Sequence, residues 1–185
     1  MKIELKNITK SFGELRVLEN VSLTFGEGIT CIMGHSGAGK TTLVNIVAGI
    51  LQPDEGEIIG AERKISMVFQ EDRLLEWESA LSNVLFVKNN RERAIELLTQ
   101  AGIDPNKKTA ELSGGMKRRV CLCRALIADY DILILDEPFK GLDSDLKPSI
   151  MEMVKNYSKG TVICITHDPT EAEFLGAEII GLTCM

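Results

Sequence analysis

One stretch of the chain has the residue types and spacing of a phosphate-binding loop, Gly34-His35-Ser36-Gly37-Ala38-Gly39-Lys40-Thr41. It matches G-x-x-x-x-G-K-[ST] at every fixed position. The glycines let backbone N–H groups turn inward around phosphate oxygens, and the next helix adds its positive dipole end. Lys40 would reach the β and γ phosphates, and the Thr41 hydroxyl would ligate Mg²⁺. Thr42 and His35 are counted with the nucleotide-binding residues, although an exposed loop side chain is the favoured interpretation of His35.

Two adjacent acids end an aliphatic run, Ile132-Leu133-Ile134-Leu135-Asp136-Glu137. A buried strand that delivers two carboxylates to the edge of a sheet is costly unless a metal or a proton transfer uses them. Asp136 suits Mg²⁺, directly or through its other ligands, and Glu137 points toward the place of an attacking water. A helix-capping acid is the alternative interpretation of Glu137.

A second turn suited to an anion precedes this acidic strand, in Leu112-Ser113-Gly114-Gly115-Met116. Ser113 is a good helix N-cap, and the two glycines permit the close approach of another backbone. On its own the turn would be an ordinary capped helix. Beside the other two motifs it indicates a second helix start that binds phosphate.

Composition excludes several classes of protein. The chain has 185 residues, of which 44% are hydrophobic, and a formal net charge of −6. That length allows one substantial core and a small subdomain. The negative balance argues against binding nucleic acid, which normally needs a basic face. The basic clusters Lys107-Lys108 and Lys117-Arg118-Arg119 are therefore interpreted as solvated surface.

Neither membrane insertion nor metal binding by cysteine is expected. No apolar run approaches the roughly 18 residues that span a bilayer. Charged residues occur from the second position onward, so the N-terminus does not resemble a signal peptide. We therefore expect a soluble, cytosolic chain. With no C-x-x-C pair and only His35 and His167, zinc binding is not expected. Reduced core thiols are the better interpretation of Cys31, Cys121, Cys123, Cys164 and Cys184.

The hydrophobic pattern predicts an α/β fold. Alternation at Ile3 and Leu5, and again over 21–25, is typical of antiparallel strands with one wet face. Short apolar runs predict buried strands over 29–33, 65–69, 132–135 and 161–165, with further strands at 58–59 and 178–182. Helical spacing predicts a helix over 41–50, a helical pattern from Glu71 to about Asp129, and a helix around 150–154. Strands that alternate with helices on both sides of a helical insert favour a mostly parallel sheet covered on both faces.

With these motifs in this order, the chain resembles the ATP-binding subunit of an ABC transporter from Met1 to its C-terminus. The resemblance implies a RecA-like P-loop NTPase core, an N-terminal antiparallel β part and an inserted α-helical subdomain. It implies one domain over 1–185, with the core at 1–70 and 130–185 and the insert at 71–129. It also implies a head-to-tail dimer, in which the loop of one subunit and the Ser-Gly-Gly turn of the other enclose each ATP.

Other site residues follow from the resemblance alone. Phe12 matches the aromatic residue that stacks on adenine, although it could be an ordinary core aromatic. Gln70 matches the glutamine that contacts Mg²⁺ and the attacking water, and its alternative is a polar strand end. Asp143, in Gly141-Leu142-Asp143, matches the loop that crosses the dimer interface. His167 matches the histidine that contacts the γ-phosphate, with Lys40, Gln70 and Glu137 as the other catalytic residues.

The segment after Gln70 resembles that of nitrate, sulfonate and taurine importer ATPases. Those have Leu-Leu-Pro-Trp where this chain has Leu74-Leu75-Glu76-Trp77, so the proline is replaced by Glu76. Leu74, Leu75 and Trp77 could dock an integral membrane permease, or they could pack inside the helical insert. The transported substrate is left open by this comparison.

The resemblance therefore implies Mg²⁺-dependent ATP hydrolysis that drives small-solute import through a separate permease. A solute-binding protein is a further expected partner, and the expected location is the cytoplasmic face of the cell membrane. One alternative is a soluble ABC ATPase of cofactor assembly, translation or repair. The interval from Lys40 to Asp136 is too short for the long coiled-coil insertion of the repair type. The other alternative, a regulator that does not hydrolyse ATP, is disfavoured by the presence of Glu137 and His167.

Overall fold

The structure, a computed structural model, describes residues 2–60 and 62–182. The chain divides into two compact units. The first contains Met1–Ile65, Tyr130–Asp136 and Lys159–Met185, and the second contains Ser66–Asp129 and Glu137–Ser158. Cys184, which was expected to be a core thiol, lies outside the described residues.

The elements are numbered in chain order. The strands are β1 (Ile3–Phe12), β2 (Leu15–Phe25), β3 (Gly28–Met33), β4 (Glu55–Ile59), β5 (Ile65–Val68), β6 (Ile132–Asp136), β7 (Thr161–Ile165) and β8 (Glu178–Gly181). The helices are α1 (Lys40–Val47), α2 (Ala80–Leu85), α3 (Arg91–Gln100), α4 (Gly114–Ile127), α5 (Lys147–Tyr157) and α6 (Pro169–Leu175), with a 3₁₀ turn at Thr109–Glu111.

The first unit has an antiparallel sheet of order β2-β1-β4. Leu5 on β1 is opposite Leu23 on one side and Ile58 on the other. Ile3, Leu5, Ile8 and Thr9 are buried, whereas the other residues of β1 are partly or wholly exposed. The alternation seen in the sequence is thus the pattern of a sheet with one buried face.

The same unit contains parallel strands in the order β6-β7-β3-β8. All residues of β6 and β7 are buried. This explains why these strands have continuous apolar runs in the sequence, since both faces of such a sheet are covered. The prediction of a mostly parallel sheet beside an antiparallel part is confirmed.

The second unit is largely helical, but its first helix begins later than the sequence predicted. Residues 71–79 form an irregular segment with a turn at 76–77, and α2 starts at Ala80 after Ser79, whose hydroxyl caps the helix. The buried Asn83 side chain explains the difference, because it exchanges hydrogen bonds with the backbone of Leu75 at 2.8 and 3.1 Å. A side chain that satisfies these backbone groups lets the segment leave the helical pattern.

Two further elements were predicted to be longer than they are. The helix expected over 41–50 spans Lys40–Val47, because Gly49 adopts φ 70° and turns the chain. Such a left-handed residue commonly ends a helix. The last strand ends at Gly181 rather than at Leu182.

The described cysteines are free and buried. Burial raises the pKa of the Cys121 and Cys123 thiols to about 12. A thiol with so high a pKa stays protonated and unreactive at neutral pH. For these residues the expectation of reduced core thiols is confirmed.

Candidate nucleotide-binding and catalytic site

The phosphate-binding loop connects β3 to α1 in the first unit. A side chain at Gly34 would collide with the carbonyl oxygen of Leu182. A Cβ atom at Gly39 would lie 2.8 Å from Leu18 and 2.9 Å from the carbonyl oxygen of Val17, and Gly39 also has φ 82°. Space therefore requires both of these glycines, and at Gly39 the left-handed backbone conformation favours glycine as well.

Lys40 is buried at the start of α1, and its ammonium curls back over the loop. It donates hydrogen bonds of 2.8 Å to the carbonyl oxygens of Gly34 and His35. The buried charge is thus held against the backbone of the loop by these two bonds. His35 itself is exposed, with its Nδ1 atom 2.8 Å from the carbonyl oxygen of Ser36.

A hydroxyl and a carboxylate meet beside the loop. The Thr41 hydroxyl donates a hydrogen bond of 2.9 Å to Oδ2 of Asp136, which is only 1% exposed. These two oxygen donors belong to the type that Mg²⁺ prefers. The pair therefore fits a magnesium ion, and the assignment of Thr41 and Asp136 to one remains a prediction.

Sheet register brings the other predicted first-unit residues to the same edge. Ile32, Ile165 and Asp136 are successive Cα partners across β3, β7 and β6. Gly34 and His167 each follow that row by two residues, and His167 is exposed. The loop, the buried acid and the histidine therefore emerge together at the carboxyl ends of the strands, where ligands bind in sheets of this kind.

Phe12 is 51% exposed at the end of β1 and is opposite Leu15 in the hairpin with β2. Val17, two residues further along β2, packs against Gly39 of the loop. Phe12 is therefore not a core residue, and the alternative interpretation of it as an ordinary core aromatic is wrong. The Lys10 ammonium is 5.7 Å from the ring centroid and is hydrogen-bonded to Asp54 at 2.6 Å. This bond holds the pKa of the Asp54 carboxyl below its usual value.

The second unit carries the Ser-Gly-Gly turn. Ser113 caps α4, because its hydroxyl accepts a hydrogen bond of 3.3 Å from the Met116 amide. A Cβ atom at Gly115 would be 2.8 Å from the carbonyl oxygen of Gly141, whereas one at Gly114 would meet nothing within 4 Å. The turn therefore packs on the Gly141-Leu142-Asp143 loop. Ser113, Gly114 and Asp143 remain exposed.

Glu137 occupies a strained backbone position in the second unit. Its φ is 48°, in the left-handed region that a residue with a long side chain rarely adopts. Its carboxylate forms a 2.7 Å ion pair with the exposed Lys140. Strain of this kind is common at active sites, where the surrounding structure holds the residue in place. The helix-capping alternative finds no support, because α5 begins ten residues later, at Lys147.

Sequence reasoning misplaced one cluster and so missed a functional candidate. Arg118 and Arg119 were expected on the solvated surface, but they are 4% and 8% exposed. The prediction failed because α4 is buried around most of its circumference, not along a single stripe. Arg118 hydrogen-bonds the backbone carbonyl oxygens of two pairs of residues, Phe69 with Gln70 and Glu137 with Pro138. The sequence does contain one indication that Arg118 faces inward. Leu122 is one helical turn after Arg118, on the same face of α4, and it is buried.

Within residues 2–60 and 62–182, no helix is long and apolar enough to cross a membrane.

The sheet edge, the glycine loop and the hydroxyl–carboxylate pair define a P-loop nucleotide hydrolase. Residues 18–140 match the family model for the ABC transporter. The chain therefore belongs to the ABC transporter family, as an ATP-binding subunit that hydrolyses ATP.

Three similar proteins illustrate the relationship. The aliphatic sulfonates import ATP-binding protein SsuB 1 of Rhodococcus jostii is 37% identical, over 98% of this chain and 79% of its own length. The bicarbonate transport ATP-binding protein CmpD of Synechocystis is also 37% identical, over 98% of this chain and 74% of its own. A solved dimeric ATP-binding cassette, MJ0796, in a post-hydrolysis state with ADP and phosphate, has a TM-score of 0.85 at 34% identity. That alignment covers 98% of this chain and 94% of the solved one.

Proposed function

We propose that this chain, as one ATP-binding domain over residues 1–185, drives import of a small solute through a separate membrane permease. The observation that carries the proposal is the row Ile32, Ile165 and Asp136, which brings the phosphate loop and His167 to one sheet edge. Import is supported by the sulfonate relative, whose name describes an importer. The sulfonate and bicarbonate relatives are named for different substrates. We therefore propose that the permease and a solute-binding protein determine which solute is transported.

In the proposed reaction, water attacks the γ-phosphorus in line with the leaving ADP oxygen, and the residues act by position and charge. Glu137 orients the water and accepts its proton, and Gln70 contacts the same water. Lys40 and His167, with Ser113 of a second subunit, offset the charge that develops on the phosphoryl oxygens. Phe12 stacks on the adenine, supported by its exposure beside the loop.

Thr41, Asp136 and Gln70 are the proposed holders of Mg²⁺, supported by the 2.9 Å contact between the first two. A bound Mg²⁺ neutralises charge on the β and γ phosphates. Thr41 would turn its hydroxyl lone pairs to the ion while Asp136 keeps its orientation through the same contact.

Thr41→Val keeps the side-chain shape and removes the hydroxyl. We expect the Mg²⁺ concentration for half-maximal ATPase activity to rise about tenfold, as when a metal's immediate surroundings are altered. Thr24→Val, on the exposed side of β2, is the matched control and should leave the Mg²⁺ titration unchanged. An unchanged titration for Thr41→Val would remove Thr41 from the proposed metal site.

We also propose that two copies pair head to tail, and that each ATP is enclosed by the loop of one copy and the Ser-Gly-Gly turn of the other. The exposure of Ser113, Gly114 and Asp143 supports this arrangement, since those groups are open to a partner. The dimeric state of the similar solved cassette supports it too. A homodimer would contain two equivalent composite sites.

The proposed permease-binding patch is on the second unit. Binding to the permease would place the chain on the cytoplasmic face of the membrane. Trp77 is 72% exposed, whereas Leu74 and Leu75 are half-buried. Phe86, at the end of α2, is 79% exposed and is an addition to the residues that the sequence suggested. Large exposed aromatic side chains mark surfaces that a partner covers.

Trp77→Asp and Phe86→Asp should each weaken permease binding at least about tenfold, because truncating an aromatic anchor at an interface costs on the order of 2 kcal/mol. Affinity for detergent-solubilised permease is the measurement, and ATPase activity of the free chain should stay within twofold. Ile95→Asp on α3, another exposed apolar residue of this unit, is the control. If all three variants bind equally well, the patch is elsewhere.

Affinity capture from native membranes tests the function as a whole. The immobilised chain should retain a polytopic permease, and ATP turnover by the complex should respond to a transported solute. Recovery of ribosomes or assembly scaffolds without a membrane protein would contradict a transport role.

A further inference from the structure

One guanidinium on α4 holds together the two backbone segments that carry Gln70 and Glu137. Arg118 is buried, and its Nη1 atom donates to the carbonyl oxygens of Phe69 and, at 3.5 Å, of Gln70. Its Nη2 atom donates to the carbonyl oxygen of Glu137 at 2.7 Å, and its Nε atom to that of Pro138 at 3.3 Å. All of these groups belong to the second unit.

The geometry of the contacts uses the planar shape of the guanidinium. One side of the fork engages the end of β5, and the other engages the residues that follow β6. Because the fork is rigid, neither backbone segment can shift without stretching a hydrogen bond in a buried site. The bonds to Glu137 and Pro138 also hold a residue whose φ of 48° would otherwise relax.

Burying this charge is costly, and its immediate partners are mostly neutral. A carboxylate oxygen of Asp72 is 3.7 Å from Nη1. A buried arginine whose main contacts are four carbonyl groups contributes geometry more than ion-pair energy. Its contacts favour a role in fixing the shape of the catalytic segment.

We propose that Arg118 is a positioning residue for ATP hydrolysis, which aligns Glu137 and passes movements of the Gln70 segment to it. This inference rests on the proposed roles of Glu137 and Gln70. Arg118 donates to the backbone carbonyl oxygens of both residues, and we expect it to act through these backbone bonds. It should therefore affect the rate of the chemical step much more than the affinity for ATP.

Three substitutions separate the fork from the charge. Arg118→Met removes every donor, Arg118→Lys keeps the charge as a single ammonium, and Arg118→Gln keeps a neutral amide donor. Arg124→Met is the matched control, because Arg124 is on the same helix and donates to the carbonyl oxygens of Asp72 and Arg73. It thus holds the same loop through the backbone of residues 72 and 73.

We expect kcat to fall about 30- to 100-fold in Arg118→Met and about tenfold in Arg118→Lys, as for a small misplacement of a reacting group. The Kd for ATP should change less than threefold in both, and Arg124→Met should keep kcat within twofold. If Arg118→Met does not fold, Arg118→Lys and Arg118→Gln carry the test. Wild-type kcat in the folded Arg118 variants would overturn the proposal.

A double-mutant cycle of Arg118→Met with Glu137→Gln, measured by the single-turnover rate of hydrolysis, tests whether Arg118 acts through Glu137 or only stabilises the fold. If Arg118 acts through Glu137, adding Arg118→Met to Glu137→Gln should slow hydrolysis less than threefold further. A full additional loss would overturn the proposal. Near-normal turnover by Glu137→Gln alone would instead refute the assigned role of Glu137, and with it the premise of this inference.

Discussion

The Glu137→Gln chain is expected to bind ATP normally and to hydrolyse it at least about 100-fold more slowly than the wild type, the usual effect of losing a general base. The amide has nearly the shape of the carboxylate but cannot accept the proton of the attacking water. Because the backbone at this residue is unchanged, its bonds to Arg118 should persist. With hydrolysis blocked, ATP should accumulate in the composite site and trap the dimer.

Steady-state turnover and size-exclusion chromatography with ATP measure the two effects. Glu152→Gln, an equivalent change on the exposed side of α5 in the same unit, should alter neither. Turnover near the wild-type rate in Glu137→Gln would show that another group activates the water.

A mixture of Lys40→Ala and Gly114→Asp chains should hydrolyse ATP although neither does so alone. In a mixed dimer, one site combines the intact loop of one chain with the intact turn of the other. With random pairing, half of the dimers are mixed and each has one good site, so about a quarter of wild-type activity is expected. Gly114 is the better position for this test, because a side chain there has open space, whereas one at Gly115 would collide with Gly141.

Each variant alone supplies a control. The Gly114→Asp chain should still bind ATP, since its phosphate loop is intact, and Lys40→Ala should not bind it tightly. Dilution of the wild type until it is monomeric should lower its specific activity. Full activity of Gly114→Asp alone, or of a demonstrated monomer, would contradict a site shared between chains.

Motifs that depend on fixed spacing were predictable from the sequence. The phosphate loop, the acid at the end of β6 and the cap at Ser113 lie on the elements that were expected for them. The reason is physical, since glycine-rich turns and buried strands leave local signatures. The parallel sheet and the family are confirmed, whereas the roles assigned to individual site residues remain predictions.

Contacts between distant segments left no such signature. Arg118 was assigned to the surface because its neighbours Lys117 and Arg119 made a basic run, yet its partners are 19 to 49 residues away. The ion pair of Lys140 with Glu137 is local, three residues apart, and was missed for a different reason: nothing in the sequence shows that Glu137 turns into the left-handed region. Side chains that bind backbone carbonyls are especially hard to foresee, since any residue can supply the acceptor.

The left-handed backbone of Glu137 has a consequence for how the chain can evolve. Glycine there would avoid about 1 kcal/mol of steric cost, and asparagine some of it, so glutamate is the poorer choice for folding. A lineage released from the need to turn over ATP would gain stability by abandoning this acid. On the proposed catalytic role of Glu137, keeping this acid would be selection on catalysis that acts against selection on the fold.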